Sequence, residues 1–180
     1  MKRLLILLLT LFACTPQTPP SVPNTEPPSF PSVAVRASNG QGFCGGVWIA
    51  NDRILTAAHC TNDHMLAIYE KQRILGREVW RDDMFLDIAE YATDKTSSHY
   101  AKIGDVPSVD NKLTIVMADG GRIVTWVVGI DLTWKTAQLK WIAPRGASGS
   151  PAFHEDGTLA CIITKQLPNR GSLCDLYQLR

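Results

Sequence analysis

The segment FCGGVWIANDRILTAAHC, residues 43–60, is the most informative part of the chain. Cys44 and two glycines lead into an apolar run at 47–49. A polar turn at 51–52 separates this run from a second β-prone run at 54–56, and two alanines, His59 and Cys60 follow it. Turn residues between two short β-prone runs predict two strands joined by a turn. A histidine is thereby expected at the end of the second strand.

Short β-prone runs recur on both sides of this segment, and long helical periodicity is absent. Turn residues such as Asn39-Gly40, Asp119-Gly120-Gly121 and Asp156-Gly157 separate many of them. Many short strands at close spacing favour an all-β sandwich or barrel. No internal repeat is evident. The further runs are 33–35, 66–69, 78–80, 113–116, 123–128, 137–141 and 159–164.

Length and composition favour one ordinary globular domain. The chain has 180 residues, 45% of them hydrophobic, which is enough for one core. Its 18 basic and 17 acidic residues leave a net charge of +1, and no Lys/Arg cluster marks a nucleic-acid face. We therefore expect no nucleic-acid partner, and the oligomeric state cannot be read from these features.

The first thirteen residues have the pattern of a signal peptide. Two basic residues precede an apolar run at 4–12 that is too short to span a bilayer. The end of this segment, 11–14, resembles a bacterial lipobox, which implies lipidation of Cys14 and a membrane tether in the bacterial cell envelope. Cleavage by the ordinary signal peptidase, giving a secreted protein, is the alternative, with Cys14 merely a cysteine in an apolar leader.

Residues 14–31 form a predicted linker before a folded domain at 32–180. Seven of the eleven prolines lie within 15–31, among Thr, Ser, Gln and Asn. Such a stretch cannot bury a core and favours extended polyproline II. We interpret it as a stalk of roughly 50 Å at about 3.1 Å per residue. A docking site for a proline-binding module is the sharper alternative.

Residues 43–60 resemble the histidine-bearing segment of trypsin-like serine proteases. In that family a Cys-Gly-Gly strand and a Thr-Ala-Ala-His-Cys turn are joined by a disulfide, which implies a Cys44–Cys60 bond here. The resemblance implies His59 as the general base, which must be held within reach of its nucleophile. It also implies two six-stranded antiparallel β-barrels with reduced loops and the active site between them. Without this motif, His59 would be interpreted as a structural residue in a turn, with its ring hydrogen-bonded and no catalytic role.

The segment PRGASGSP, residues 144–151, resembles the nucleophile loop of the same superfamily. The resemblance implies Ser148 as the nucleophile and the amides of Gly146 and Ser148 as the oxyanion hole. Glycine and serine are common loop formers, so the segment is weak evidence alone. Its value comes from following the histidine motif in the chain order His, Asp, Ser.

The third member of a triad must be an acid between these two segments. The run LDIA at 86–89 resembles the family's Asp-Ile-Ala segment. Asp87 has apolar neighbours and is expected to be largely buried, which requires a hydrogen-bonding partner. The Nδ1 proton of His59 would supply that partner. The competing aspartates 82, 83 and 94 have polar neighbours and are interpreted as solvated loop residues.

The implied reaction is hydrolysis of a peptide bond in a peptide or protein substrate. His59 takes the Ser148 hydroxyl proton, Ser148 attacks the carbonyl, and water later releases the acyl-enzyme. No cofactor or metal is needed. The other histidines, 64, 99 and 154, do not form a metal-ligand spacing.

One departure from typical trypsins concerns activation. Zymogens of that kind carry an aspartate just before the nucleophile, where this chain has Ala147. In this respect the sequence resembles bacterial glutamyl endopeptidases and HtrA-type proteases. We therefore predict a domain that is active without propeptide cleavage, unless a partner orders the loop.

Two further features concern the second half. Cys161 and Cys174 complete an even number of cysteines in the folded domain, so we predict that they pair, with two buried thiols as the alternative.

The family pattern places the floor of the specificity pocket near Ile142 and one wall at 164–166, including Thr164 and Lys165. Ile142 disfavours trypsin-type specificity and favours a small or apolar side chain. A glutamyl preference involving Lys165 or His154 is the alternative.

Two other functions compete with an endopeptidase. The fold could serve as a catalytically silent binding module on the cell surface, which the complete triad opposes. An esterase would need Gly-x-Ser-x-Gly and a histidine after the serine. Position 150 is serine, and His154 follows Ser148 too closely.

Overall fold

Antiparallel hairpins dominate a computed structural model of the protein, which describes residues 30–38, 40, 42–168 and 171–180. The predicted signal peptide, Cys14 and nearly all of the predicted linker lie outside these residues. Twelve strands and two single 3₁₀ turns are present in the described part of the chain, as the all-β prediction requires. No helix there is long and apolar enough to cross a bilayer.

The first barrel contains six strands and closes through pairing of its first and fourth members. Its order around the barrel is β1-β2-β3-β6-β5-β4. Alternate side chains point inward, so the barrel is filled by a core that includes Val35, Trp48 and Tyr91. The strands are β1 (Ser32–Arg36), β2 (Phe43–Ala50), β3 (Arg53–Ala57), β4 (His64–Tyr69), β5 (Gln72–Asp82) and β6 (Ile88–Thr93).

The second barrel repeats this arrangement with the remaining strands. Its closed order, β7-β8-β9-β12-β11-β10, is the order of the first barrel with six added to each strand number. Its core includes Leu113, Val127 and Leu139. The strands are β7 (Lys112–Val116), β8 (Arg122–Asp131), β9 (Thr136–Leu139), β10 (Pro151–Phe153), β11 (Leu159–Leu167) and β12 (Gly171–Asp175).

A third apolar cluster joins the two barrels. Val47 and Ile88 from the first barrel pack in it with Phe153 and Ile162 from the second, and all four are buried. Burial of this kind, at about 25 cal/mol per Å² of apolar surface, favours a fixed relation between the barrels. Two six-stranded antiparallel barrels confirm the predicted fold class.

Candidate active site

Pairing of β3 with β6 places the predicted base beside the predicted acid. His59 lies in the 3₁₀ turn Ala58–Cys60 that follows β3, and Asp87 immediately precedes β6. Ala57 and Ile88 are partners across the two strands, and the Ala58 amide donates to the Asp87 carbonyl at 2.9 Å. The ladder of the sheet therefore sets the separation of the two side chains.

Two hydrogen bonds join His59 to the carboxylate of Asp87. Nδ1 of His59 bonds Oδ2, and the His59 backbone amide donates to Oδ1 at 2.9 Å. The hydrogen bond to Asp87 raises the pKa of His59 above its ordinary value, against the desolvation that would lower it. With Nδ1 engaged in this way, Nε2 is left to face a reactant.

The expected burial of Asp87 is only partly right. Its neighbours Leu86 and Ile88 are fully buried, but its own side chain is 35% exposed and that of His59 is 46% exposed. The difference arises because the pair faces an open cleft, which apolar neighbours in the sequence do not reveal.

Arg81 stabilises the turn that contains His59, a role that the sequence did not indicate. Its Nη1 donates to the Ala58 carbonyl at 2.8 Å and its Nη2 to the Thr61 carbonyl at 3.1 Å. Glu78 and Tyr91 fix the guanidinium in turn, at 2.6 Å and 3.0 Å. The planar fork of arginine suits such a set of acceptors.

Asp175 is a second carboxylate behind the pair that the sequence analysis missed. Its Oδ2 accepts the Asp87 backbone amide at 2.7 Å, and the residue is only 4% exposed. Burial raises its pKa to about 6, although the hydrogen bond from Asp87 acts to lower it. The available signal was an aspartate between two apolar residues, Cys174 and Leu176, which is the pattern that identified Asp87.

The Ser148 loop turns sharply and is tied to the first barrel by its backbone. The Ala147 amide donates to the Pro144 carbonyl at 3.2 Å, and Gly146 has the positive φ, 86°, that the third position of a type II turn needs. The Gly45 amide donates to the Ser148 carbonyl at 2.7 Å. Gly45 adjoins Cys44, whose disulfide partner Cys60 follows His59, so the loop is anchored to the histidine segment.

Two glycines make this close contact between the barrels possible. A Cβ on Gly45 would lie 2.5 Å from the Cα of Ser150, and one on Gly149 would lie 2.1 Å from the Gly45 carbonyl oxygen. Gly149 also has a φ of 78°. Across the described residues, no hydrogen bond links the Ser148 hydroxyl to His59. Such contacts are often long in the free enzyme and tighten when substrate binds.

Both predicted cysteine pairings are present in the described domain. Cys44–Cys60 has a Cα–Cα distance of 6.3 Å, and Cys161–Cys174 one of 5.5 Å. The first lies directly after His59, and the second ties β11 to β12 just before Asp175. Disulfides of this kind persist in oxidising compartments, which fits an exported protein.

An open cleft of about 920 Å³ extends from the His59–Asp87 pair between the barrels. Met84 and Phe85 line one side, and Trp134 with Lys165 line the other. Thr164 and Lys165, two predicted wall residues, contribute to this cleft. Ile142 does not line it and is 49% exposed, so the predicted pocket floor stays a prediction.

Comparisons with known proteins agree with this fold. The trypsin family model matches residues 21–99. No curated protein shows significant sequence similarity to the chain. The structure of a serine endoprotease from Yersinia pestis superposes with a TM-score of 0.68 at 19% identity, over 83% of this chain and 59% of that one. The chain therefore spans less than two thirds of that protein.

Two further solved structures are similar over most of their lengths. A protease of M. tuberculosis in an inactive form gives a TM-score of 0.65 at 14% identity, covering 82% of this chain and 84% of its own. A serine protease of a human pathogenic astrovirus gives 0.64 at 16% identity, covering 81% and 88%. At such identities these likenesses show the fold alone. Together with the family match over the first barrel, they support a chymotrypsin-like fold for the chain.

Proposed function

We propose that the protein is a serine endopeptidase with His59, Asp87 and Ser148 as its catalytic triad. The observation that carries the proposal is the pair of hydrogen bonds between His59 and Asp87. The Ser148 carbonyl also accepts the amide of Gly45, in the segment that the Cys44–Cys60 disulfide joins to His59. In the proposed roles, Asp87 would hold the His59 tautomer whose Nε2 can accept a proton, Ser148 would be the nucleophile, and the amides of Gly146 and Ser148 would bind the oxyanion.

The reaction follows from these groups. His59 Nε2 takes the Ser148 hydroxyl proton as Oγ bonds to the peptide carbonyl carbon, and the carbonyl oxygen becomes an oxyanion at the Gly146 and Ser148 amides. The oxyanion collapses, the C–N bond breaks, and His59 gives its proton to the leaving amine. Water, deprotonated by His59, then hydrolyses the acyl-enzyme and restores Ser148.

Activation without a new N-terminal amine is part of the proposal. Ala147, where zymogens of the trypsin type carry aspartate, is 1% exposed and packs in the core of the second barrel. That environment supports an apolar contact in place of an ion pair. In lacking an aspartate before the nucleophile, the proposed site resembles those of bacterial glutamyl endopeptidases and HtrA-type proteases.

Covalent labelling with a fluorophosphonate probe tests the activity. We expect the exported full-length protein to be labelled at Ser148, and Ser148→Ala and His59→Ala each to abolish labelling, since the triad acts as a unit. A protein that is folded by circular dichroism but is not labelled would contradict the proposal. It would favour the alternative function, a silent binding module with the same fold.

Substrate choice is proposed from the residues around the cleft. Ile142 would form the floor of the primary pocket, with Thr164 and Lys165 on one wall, so we expect cleavage after small or apolar side chains. A peptide library that is cut chiefly after Lys or Arg would contradict this. Cleavage chiefly after Glu would support the alternative in which Lys165 or His154 pairs with the substrate.

Location is proposed from the predicted signal peptide and Cys14. We propose export to the bacterial envelope, lipidation of Cys14 and tethering through the linker of residues 14–31. Metabolic labelling with an alkyne fatty acid should mark the wild type and not Cys14→Ala. Unlabelled, freely secreted protein would favour the ordinary signal peptidase.

A further inference from the structure

Asp175 joins the backbone of the proposed catalytic acid to the second barrel. Its carboxylate accepts the Asp87 amide at 2.7 Å across 88 residues of sequence. Asp175 itself lies at the end of β12, held in register with Ile162 of β11 and Thr136 of β9. Asp87 is thus bonded to His59 through its side chain and to a fixed strand through its main chain.

A neutral acceptor could make the same bond at lower cost. Asparagine at position 175 would present a similar oxygen to the Asp87 amide without the desolvation penalty of a buried charge. Asp87 and Asp82 also oppose ionisation of Asp175, because like charges repel. A carboxylate at this position is therefore unfavourable for the fold, and such departures from local stability concentrate at functional sites.

The negative charge of Asp175 acts on His59, the proposed general base. The hydrogen bond to Asp87 is the main cause that raises the pKa of His59, and the negative charges of Asp87 and Asp175 raise it further. The charged groups that share the cleft with Asp175 are Asp83 and Asp131, which are negative, and Lys165, which is positive. Thr164 of β11 lines the same cleft.

We infer that Asp175 is a positioning residue for the His59–Asp87 pair, which fixes the acid through its backbone amide and holds a negative charge behind the pair. The inference rests on the proposed function, in which His59 must take a proton from Ser148. Its hydrogen bond acts through Asp87, and its charge acts on His59 at a distance.

The Asp175→Asn variant separates the charge from the hydrogen bond. We expect the acidic limb of the kcat/KM profile to move to lower pH, since a weaker base titrates lower. The plateau should fall by no more than about tenfold, because the acceptor is retained. Asp175→Ala, which also removes the acceptor, should lose about 100-fold in kcat. If this second variant fails to fold, the first still decides the question.

Asp94→Asn is the matched control. Asp94 accepts a backbone amide, that of Leu75, at 2.8 Å, and it is not among the charges that act on His59. Its substitution should leave the pH profile in place. A pH limb for Asp175→Asn that coincides with that of wild type would overturn the inference, whatever the loss of rate.

A titration of His59 by NMR gives a readout that does not depend on activity. In the Ser148→Ala background, the His59 ring should titrate at lower pH when Asp175 is also replaced by Asn. An unchanged His59 titration would overturn the inference. The measurement holds even if the wild type is not labelled by the fluorophosphonate, so failure of the proposed function and failure of this inference are distinguishable.

Discussion

The two barrels share one topology and hold their site residues by different means. Each closes in the same cyclic strand order, and each contains one disulfide among the described residues. In the first barrel, side chains such as Arg81 and Asp87 hold the histidine turn. In the second, main-chain bonds and glycine contacts hold the serine loop.

This difference parallels the extent of the family match. The trypsin family model matches residues 21–99, which include that barrel and not the second. A site held by specific side chains is visible in sequence, because the residue types are constrained. A loop held by its backbone constrains mainly its glycines, which give a weaker signal in sequence.

The largest expected effect tests the backbone contact between the barrels. Gly149→Ala would place a methyl group 2.1 Å from the Gly45 carbonyl oxygen at a φ of 78°, so we expect a loss of about 4 kcal/mol or more. Gly157→Ala has a similar φ, 83°, with nothing within 4 Å, and should cost about 1 kcal/mol. Urea unfolding of both variants measures the gap. Equal costs would show that the close approach is unimportant.

Removal of either disulfide should cost a similar free energy of unfolding, but only removal of the first should also lower kcat. Their loops, with separations of 16 and 13 residues, each predict about 3 kcal/mol from loop entropy. Replacing Cys44 and Cys60 by Ala should also lower kcat, because Cys60 follows His59. Replacing Cys161 and Cys174 should mainly lower stability. This prediction is wrong if replacing Cys161 and Cys174 lowers kcat as much as replacing Cys44 and Cys60, at a temperature where both variants are folded.

Asp175→Asn should stabilise the second barrel at neutral pH. The native pKa of about 6 lies above the ordinary 3.8, so this group favours folding below pH 3.8 and loses that contribution as pH rises through 6. Above pH 6 the variant should therefore gain up to about 3 kcal/mol over wild type, and the gain should vanish near pH 4. Thermal unfolding at pH 4 and pH 8 measures it. A variant that is less stable at pH 8 would contradict the raised pKa.

The smallest expected effect concerns the hydrogen bonds from Arg81 to the turn that contains His59. Arg81→Ala removes charged hydrogen bonds to two carbonyls of the histidine turn, so we expect a loss of about 2 kcal/mol and a lower kcat. Lys112→Ala breaks an exposed ion pair with Glu155 and should cost under about 1 kcal/mol without affecting kcat. Urea unfolding and steady-state kinetics on both variants give the comparison. Arg81 would lose its assigned role if kcat were unchanged.

Strand prediction succeeded where side chains alternate and failed where polar residues are buried. Three strands were not predicted: β6, β10 and β12. Two of them contain a buried carboxylate, Glu90 in β6 and Asp175 in β12, which interrupts the apolar pattern. Glu90 is satisfied by the Tyr177 hydroxyl at 2.7 Å and by Arg180 at 2.6 Å, both distant in sequence. β10 has only three residues, too few for a periodic signal.

The amino-acid sequence by itself determined the all-β class, the strand–turn–strand with His59 at its end, and the cysteines available for pairing. These features depend on neighbours along the chain, where periodicity and turn chemistry act directly. The cleft beside His59, the clamp of Arg81 and the bond from Asp87 to Asp175 were decided by tertiary structure. Each depends on groups that meet only when the barrels close and pack, because a hydrogen bond needs about 3 Å in space and is indifferent to distance along the chain.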